Sequence, residues 1–312
     1  MSILYQVKGI ACLIFIALFL TLYITSPQSI EPRSVHQLWN LGHVVLFFLL
    51  STVILLERRQ QHSSLRAEAL EALLYPLLFG VSIELLQPAF ARTADLSDLL
   101  KNIAGSLLAF CWFSDYLAKN YKALTGFLRI ASIIAILATF KPLVISRYDE
   151  YLAQQHFPLL SNFDSSTELS RFKAIGKHTL IHLDHKAEHL NSQALAIRLH
   201  NKEQYSGVSL EHFPGNWQNY HSLRFSLYTK QQQTITLRIY DKPHPERGFD
   251  YNDRFNKKLL LTPGWNHISV DLATVAAAPS QRRMDMANII DVSFFITNAS
   301  PQTLWLDQLY LQ

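Results

Sequence analysis

The chain has 312 residues, 49% of them hydrophobic and 17% charged, a length for which about two domains are expected. Its net charge of +4, without any lysine- or arginine-rich tract, does not indicate a nucleic-acid partner. The two cysteines, Cys12 and Cys111, both lie in apolar runs, so the sequence indicates neither a disulfide framework nor a thiolate metal site.

Long apolar runs occupy most of the first 145 residues. Five of them predict transmembrane helices, although several are shorter than the roughly 20 residues that cross a bilayer. The first run is not followed by an A-x-A cleavage site, so we interpret it as an uncleaved helix rather than a signal peptide. The five predicted helices cover residues 10–24, 38–56, 69–86, 99–113 and 127–145.

Basic residues between these runs predict the orientation of the chain. Arg58, Arg59 and Arg66 follow the second run, and Lys119 and Lys122 follow the fourth. Under the positive-inside rule, both connections are cytoplasmic. We therefore expect a multi-pass protein of a bacterial cell (inner) membrane, with a cytoplasmic N-terminus and an extracytoplasmic, periplasmic C-terminal domain.

Seven polar side chains lie within these apolar runs or in the loop between the third and fourth runs. Residues three or four apart share one face of a helix, so we expect these side chains to converge near the outer leaflet. Polar groups in a bilayer are costly and commonly mark a site, although they can also simply hydrogen-bond one helix to another. The seven are His43, Glu84, Gln87, Arg92, Asp95, Asp98 and Asn102.

Three motifs in this region resemble those of the VanZ-like membrane proteins. They are N-L-G-H at 40–43, E-L-L-Q at 84–87 and R-T-A-D-L-S-D-L-L-K-N-I-A-G at 92–105. The resemblance covers about residues 8–118. That family is named for an accessory factor in glycopeptide (teicoplanin) resistance, so the resemblance implies a ligand site in the membrane and an accessory role in that resistance.

Two classes of function remain open for this site, beside a purely structural anchor for the second domain. A binding or accessory module would hold a membrane lipid or a lipid-linked saccharide. A membrane hydrolase or transferase acting on a lipid-linked head group would use Glu84 or His43 as general base, with Arg92 gripping a phosphate or carboxylate. The sequence contains no nucleophile elbow, P-loop or H-E-x-x-H motif, which leaves the enzyme class without a recognised catalytic motif.

The second half of the chain changes to short runs in which apolar and polar residues alternate. Such runs, separated by turn residues, predict an antiparallel β-sandwich or jelly roll. We therefore divide the chain into a transmembrane domain (1–147), a linker (148–160) and a β-sandwich domain (161–312). The alternating runs include A-L-A-I-R-L at 194–199, S-L-R-F-S-L-Y at 222–228 and T-I-T-L-R-I-Y-D at 234–241.

The order of features in this half is similar to that of the galactose-binding-like jelly rolls found in carbohydrate-binding modules. The motifs are N-F-D at 162–164, W-Q-N-Y-H-S-L-R-F at 217–225, P-G-W-N-H-I-S-V-D-L at 263–272 and L-W-L-D-Q-L-Y-L at 304–311. The similarity implies an envelope glycan as partner. It also leaves open a structural calcium ion at Asp164 or Asp307; no other cofactor is expected.

The segment 238–256 combines aromatic rings with carboxylates, amides and arginines. Sugars need such a mixture, because their C–H faces stack on aromatic rings and their hydroxyls form hydrogen bonds. The alternative is a charged loop in which Asp253 pairs structurally with Arg254. The candidate glycan-binding residues are Arg238, Tyr240, Asp241, His244, Tyr251, Asp253, Arg254 and Asn256.

Histidines at 178, 182, 185 and 189 have a spacing that would suit a zinc site on a helix. The run T-L-I-H-L-D-H instead alternates like a strand. A strand would place these side chains on both faces of a sheet. No metal site is therefore expected there.

Overall fold

A computed structural model describes residues 9–10, 13–17, 19, 32–58, 64–86, 96–185 and 192–312. The chain divides into two compact units, Met1–Val144 and Ile145–Gln312. Helices make up the described part of the first, which we call the helical unit. Antiparallel strands dominate the second, which we call the sandwich unit.

The helices of the helical unit correspond to the predicted apolar runs and extend beyond them. Serine side chains cap two of the helices: Ser64 accepts a hydrogen bond from the Ala67 N–H, and Ser114 accepts one from the Leu117 N–H. The helices are α1 (Arg33–Arg58), α2 (Leu65–Ala69), a π-helical segment (Leu70–Leu74), α3 (Tyr75–Leu86), α4 (Leu96–Phe113), α5 (Asp115–Asn120) and α6 (Lys122–His156).

The close approach of α1 and α4 depends on Gly105. A Cβ at this position would lie 3.0 Å from the backbone nitrogen of Phe48 and closer still to the Val44 carbonyl oxygen, both in α1. A residue without a side chain avoids this clash. Nearby, Phe47 of α1 is buried against Ile83 of α3. Facing side chains of α1, α3 and α4 are thereby brought within reach of one another.

The prediction of about five membrane-spanning helices is wrong for the described residues. Two described helices are long and apolar enough to cross a membrane, Arg33–Glu57 and Lys122–His156. The run predicted at 69–86 is interrupted by the π-helical segment. Helix α4 has 18 residues, including two buried charged side chains, so neither element is an unbroken apolar span.

The segment 148–160, predicted to be a linker, is helical as far as His156. Asp149 in this helical part is fully buried, and the Nε of Arg171 lies 2.9 Å from its Oδ2. Arg171 also donates to the Leu160 carbonyl oxygen at 2.7 Å. A buried ion pair fixes these helical residues within the sandwich unit, which corrects the prediction of a linker.

The sandwich unit consists of two antiparallel sheets, as predicted. The strands are β1 (Leu159–Ser161), β2 (Phe172–Ile175), β3 (Leu180–Asp184), β4 (Ala194–Leu199), β5 (Tyr205–Leu210), β6 (Ser222–Thr229), β7 (Gln233–Asp241), β8 (Phe255–Leu261), β9 (Gly264–Asp271), β10 (Ile289–Thr297) and β11 (Gln302–Leu311). One sheet has the order β3–β4–β11–β6–β9, with β1 paired to β11, and the other has the order β2–β5–β10–β7–β8. Successive strands pass repeatedly from one sheet to the other, as in a jelly roll.

Because successive side chains of a strand point to opposite faces, one face of each sheet lies in a shared core. On β7, Leu237 and Ile239 are buried in this core, and Arg238 between them is directed to the opposite face. Phe225 of the six-stranded sheet packs edge-on against Phe294 of the five-stranded sheet, with ring centroids 4.9 Å apart. The outward side chains of the five-stranded sheet are therefore left to form a surface.

Candidate functional site

The eight residues predicted to bind glycan separate into a buried and an exposed group. Asp241 and His244 have no exposed surface, and Asp253 is 6% exposed. Tyr251, in contrast, is 65% exposed. The two groups have different partners and different roles.

The buried group is organised by Arg282. Its Nη2 lies 2.7 Å from Asp241 Oδ1, and its Nε lies 2.7 Å from Asp253 Oδ1. The Nδ1 of His244 lies 3.3 Å from Asp253 Oδ2. The ion pair that the alternative interpretation assigned to Asp253 and Arg254 is thus formed with Arg282. Because Arg282 lies 29 residues beyond Asp253, no local spacing in the sequence reveals it.

The contacts of this network shift the pKa values of its members. Hydrogen bonds from Arg282 hold the pKa of the Asp253 carboxyl below its ordinary value. The hydrogen bonds to Asp241 and Asp253 raise the pKa of the Arg282 guanidinium further above neutrality. Burial lowers the pKa of His244 and favours its neutral form. Asp241, His244 and Asp253 are buried in this network and do not line the cleft described next.

The exposed group lies in a cleft of about 440 Å³ on the outer face of the five-stranded sheet. Tyr240, although predicted, packs beside this cleft against the His244 ring, with centroids 4.7 Å apart. Four predicted residues, Arg238, Tyr251, Arg254 and Asn256, do line the cleft. We call it the five-strand cleft, and its lining residues are Ile175, Tyr205, Thr236, Arg238, Tyr251, Arg254, Asn256, Lys257, Lys258, Phe295 and Thr297.

Strand pairing brings these side chains together. Arg238 of β7 is opposite Asn256 of β8 on one side and Ser293 of β10 on the other. Thr236 is likewise flanked by Lys258 and Phe295. The sequence pattern did not identify Lys258 or Phe295, since their neighbours in the cleft are distant in the chain and only the register of the sheet places them together.

Aromatic rings form the apolar part of the cleft. Tyr205 and Phe295 pack edge to face, with ring centroids 5.6 Å apart, and Tyr251 adds a third ring. Gly207 on β5 permits this arrangement, because a Cβ there would lie 2.7 Å from the Phe295 Cβ. Tyr205 and Tyr251 are exposed, and such rings present apolar surface with limited conformational freedom to a ligand.

Arg238 is held in a fixed position in the cleft. Its Nη2 donates to Ser293 Oγ at 2.8 Å, and its Nε lies 3.4 Å from Asp291 Oδ1. Its guanidinium carbon lies 5.6 Å from the centroid of the Phe295 ring. Burial raises the pKa of the Asp291 carboxyl, while Arg238 and hydrogen bonds from neighbouring serines act in the opposite direction. These contacts orient the guanidinium before any ligand binds.

Arg254 lacks comparable partners. Its Nε is buried without an acceptor among the described residues, and its guanidinium carbon lies 5.4 Å from the centroid of the Tyr251 ring. Burial, and then the nearby charge of Arg238, lower the pKa of Arg254. Arg254 thus lines the cleft with a donor that no described residue uses.

Among the described residues, those considered for metal binding do not come together in one group. Strand β3 confirms the predicted alternation of T-L-I-H-L-D-H, and His178 pairs with Glu203 at 2.8 Å. Asp164 and Asp307, considered for calcium, accept hydrogen bonds from neighbouring side chains. Within the described part of the chain, no group of three or more histidine, cysteine, aspartate or glutamate side chains is placed to hold a metal ion.

In the helical unit, three of the seven predicted polar residues meet in a buried network. The Nδ1 of His43 on α1 lies 3.1 Å from Asn102 Oδ1 on α4. The other ring nitrogen, Nε2, lies 3.7 Å from Asp98 Oδ2. Glu84 is buried near the end of α3. The remaining three, Gln87, Arg92 and Asp95, lie outside the described residues.

Lys101 supplies a positive charge to this network. Its Nζ donates to Asp98 Oδ1 at 2.7 Å and to Ser97 Oγ at 3.2 Å. Lys101 is itself buried. It was not among the predicted residues, although its spacing of three from Asp98 is a recognisable signal for a pair on one helical face.

A groove of about 610 Å³ adjoins the network at Asn102. Its walls are mainly leucine side chains of the π-helical segment and α3, including Leu73 and Leu77. Asn102 Nδ2 and Ser106 Oγ are buried there without hydrogen-bond partners among the described residues. The groove thus has mainly apolar walls, and two of the residues that line it carry a buried polar atom without a described partner.

The chain matches no protein-family profile, and no curated protein sequence is similar to it. The resemblance of its first half to VanZ-like proteins therefore rests on the quoted motifs alone.

Several solved structures are similar in fold. One is the family 11 carbohydrate-binding module from Clostridium thermocellum in complex with a beta-1,3-1,4-mixed-linked tetrasaccharide, with 12% identity, a TM-score of 0.38 and coverage of 49% of this chain and 93% of that one. Another is the family 30 carbohydrate-binding module of a cellulosomal cellulase from Clostridium thermocellum, with 16% identity, a TM-score of 0.36 and coverage of 46% and 86%. A third is an exo-beta-agarase, with 15% identity, a TM-score of 0.38 and coverage of 49% and 24%. Similarity of this kind concerns architecture, whereas a ligand is determined by the side chains of a site.

Proposed function

We propose that this is a membrane-anchored protein of the bacterial cell envelope that binds glycan in the five-strand cleft. The observation that carries the proposal is the combination of aromatic rings and fixed polar groups in one open cleft. Tyr205 and Tyr251 are 46% and 65% exposed, and Arg238 and Asn256 lie beside them. Rings of this kind stack on the C–H faces of a sugar, and the polar groups bond its hydroxyls.

The dimensions of the cleft favour an extended ligand. Lining residues come from all five strands of the sheet. At a strand spacing of about 4.8 Å, the four intervals across the sheet span about 19 Å. A chain of several linked sugar units fits this surface better than a single small molecule does.

Binding is tested with the full-length chain, purified in detergent and titrated with a panel of oligosaccharides. Tyr251→Ala should weaken binding about tenfold, since an exposed ring contributes contact area at a binding site without supporting the core. The matched control is Tyr151→Ala, because Tyr151 is 57% exposed and lies in α6 rather than the cleft. Equal affinity of the two variants, or binding to no member of the panel, would remove the proposal.

The proposed membrane anchor is supported by the surface of α6. From Phe127 to Val144 its large apolar side chains are strongly exposed, including Ile130, Ile134 and Leu137, each more than 60%. At about 1.5 Å per residue, this stretch is about 26 Å long, close to the roughly 30 Å of a bilayer's hydrocarbon core. Such a surface is unfavourable in water and compatible with lipid.

The proposed orientation places the sandwich unit outside the cytoplasm, where envelope glycans occur. Alkaline phosphatase, which is active only outside the cytoplasm, should be active when fused after Gln312 and inactive when fused after Arg59. The reverse pattern would contradict the orientation and separate the five-strand cleft from the proposed ligand.

For the helical unit we propose that the groove beside Asn102 holds an acyl chain of a lipid or of a lipid-linked saccharide. The groove walls are apolar, and Asn102 and Ser106 supply polar atoms to the end of such a molecule. Leu73→Trp should fill the groove, whereas Leu85→Trp adds the same ring at a position that is 76% exposed and outside it.

This second proposal is tested by native mass spectrometry after reconstitution in phosphatidylethanolamine–phosphatidylglycerol nanodiscs. Retained lipid should be lost in Leu73→Trp and kept in Leu85→Trp. Equal retention would contradict it. An accessory role in glycopeptide resistance, which the VanZ-like motifs imply, predicts that Leu73→Trp also changes teicoplanin sensitivity at unchanged protein abundance.

A further inference from the structure

The five-strand cleft is strongly one-sided in charge. Four of its lining residues are cationic: Arg238, Arg254, Lys257 and Lys258. None of the described lining residues is an aspartate or a glutamate. For a chain with a net charge of only +4, this is a local concentration of positive charge rather than a reflection of overall composition.

These four cations differ in how far the protein itself balances them. Arg238 is paired with the buried carboxylate of Asp291. Arg254 retains a buried Nε without an acceptor in the described part of the chain. Lys257 and Lys258 are exposed neighbours on β8, which pairs with the strand of Arg238. The positive charge that remains for a ligand is thus concentrated on the β8 side of the cleft.

A neutral saccharide would leave this charge uncompensated. Burial and the adjacent Arg238 guanidinium already disfavour the charged form of Arg254, and a neutral ligand would remove water from it without supplying an opposite charge. An anionic group would instead accept charge-assisted hydrogen bonds, and a guanidinium can donate two of them in parallel to a carboxylate or a sulfate.

We infer that the five-strand cleft binds an acidic polysaccharide, with sugar rings against Tyr205, Tyr251 and Phe295 and an anionic substituent at Arg254, Lys257 and Lys258. The inference rests on the proposed glycan binding and specifies its ligand class. Two kinds of substituent share the required chemistry, a uronate carboxylate and a sulfate ester, and both are used as probes.

The test titrates the full-length chain in detergent with four polymers: a polyuronate, the same polyuronate after chemical reduction of its carboxyl groups, a sulfated galactan, and a neutral β-glucan. The polyuronate or the sulfated galactan should bind at least about tenfold more tightly than the neutral polymers, because hydrogen bonds to ionised groups are roughly twice as strong as those between neutral groups. Whichever of the two binds identifies the anionic substituent.

Substitutions test whether residues on the β8 side of the cleft cause the preference for acidic polymers. Arg254→Gln, and separately the double change Lys257→Gln with Lys258→Gln, should each abolish most of the difference between acidic and neutral polymers. Arg224→Gln is the matched control, because Arg224 is an exposed arginine on β6 of the other sheet. The lysine changes lie on exposed side chains and keep the test informative if Arg254→Gln lowers stability.

The possible outcomes distinguish this inference from the proposed glycan binding on which it rests. Tight binding of the acidic polymers with loss in both β8-side variants supports it. Binding in which neither the polyuronate nor the sulfated galactan is tighter than the neutral polymers overturns it while leaving glycan binding intact. Binding of none of the four polymers overturns it together with glycan binding in the cleft, and equal loss in Arg224→Gln overturns it in favour of non-specific attraction to surface charge.

Discussion

Two groups of residues from the segment 238–256 have opposite environments. Asp241 and Asp253 lie in the interior, where Arg282 donates to both carboxylates. Arg238 and Arg254 lie on the outer face of the five-stranded sheet. The segment contains acidic and basic residues in mixed order, and the fold buries Asp241 and Asp253 while Arg238 and Arg254 line the cleft.

The comparison shows how a nearly neutral stretch of sequence produces a charged surface. Arg282 comes from another part of the chain and pairs with both buried carboxylates, whereas Arg254 lines the cleft. Lys257 and Lys258 on the next strand add to the same side. The cleft and the buried network thus have no lining residue in common, and the following predictions test the network, the floor of the cleft and the His244 ring in turn.

The largest expected effect is on the buried half. Arg282→Met should lower the free energy of unfolding of the sandwich unit by about 3 kcal/mol, because it leaves two buried carboxylates without a cationic partner. The measurement is urea unfolding of residues 145–312, a fragment expected to fold because its core cluster lies within residues 157–311.

Arg283→Met is the control for that change, since Arg283 is the exposed neighbour of Arg282. It should change the free energy of unfolding by less than about 0.5 kcal/mol. A similarly small effect of Arg282→Met would contradict the structural role of the buried network.

A smaller effect is expected at the floor of the cleft. Gly207→Ala should destabilise the fragment by about 1–3 kcal/mol, since its Cβ would lie 2.7 Å from the Phe295 Cβ and the strands would have to shift. Glycan affinity should fall as well, because Phe295 is displaced. Urea unfolding and titration measure the two effects, and unchanged values of both would show that the cleft floor does not depend on this contact.

The smallest effect concerns pH and the His244 ring. Its pKa is lowered by burial, so below about pH 6.5 the unfolded state binds more protons than the folded state, and stability falls as the pH falls. Glu211 and Asp291, whose pKa values burial raises, act in the opposite direction. The prediction is therefore a difference from the His244→Gln variant.

Wild-type fragment should lose stability between pH 7 and pH 5 relative to His244→Gln, as measured by thermal unfolding at each pH. Parallel curves for the two proteins would mean that His244 does not titrate differently on folding.

Much of the sandwich could be predicted from sequence. Alternation located β4, β6, β7 and β9 to within one or two residues. It did not reveal β8, because F-N-K-K-L-L-L has no regular alternation and becomes a strand by pairing with β7. That omission also removed Lys257 and Lys258 from the predicted site.

For a related reason, only some of the predicted glycan-binding residues line the five-strand cleft. The mixture of aromatic and polar residues at 238–256 includes Tyr251 and Arg254, which line the five-strand cleft. It could not separate buried from exposed members, because that division depends on the distant Arg282. In the helical unit, polar residues within apolar runs predicted that His43 and Asn102 lie close together. Helical spacing allowed this prediction because it shows which polar residues share a face.

The most direct test of the central claim is hydroxyl-radical footprinting of the full-length chain with and without polyuronate or sulfated galactan. The oxidation rates of Tyr205 and Tyr251 should fall on binding, while that of Tyr151 stays unchanged. Unchanged rates at both cleft tyrosines, or protection of Trp265 on the opposite sheet instead, would contradict glycan binding in the five-strand cleft.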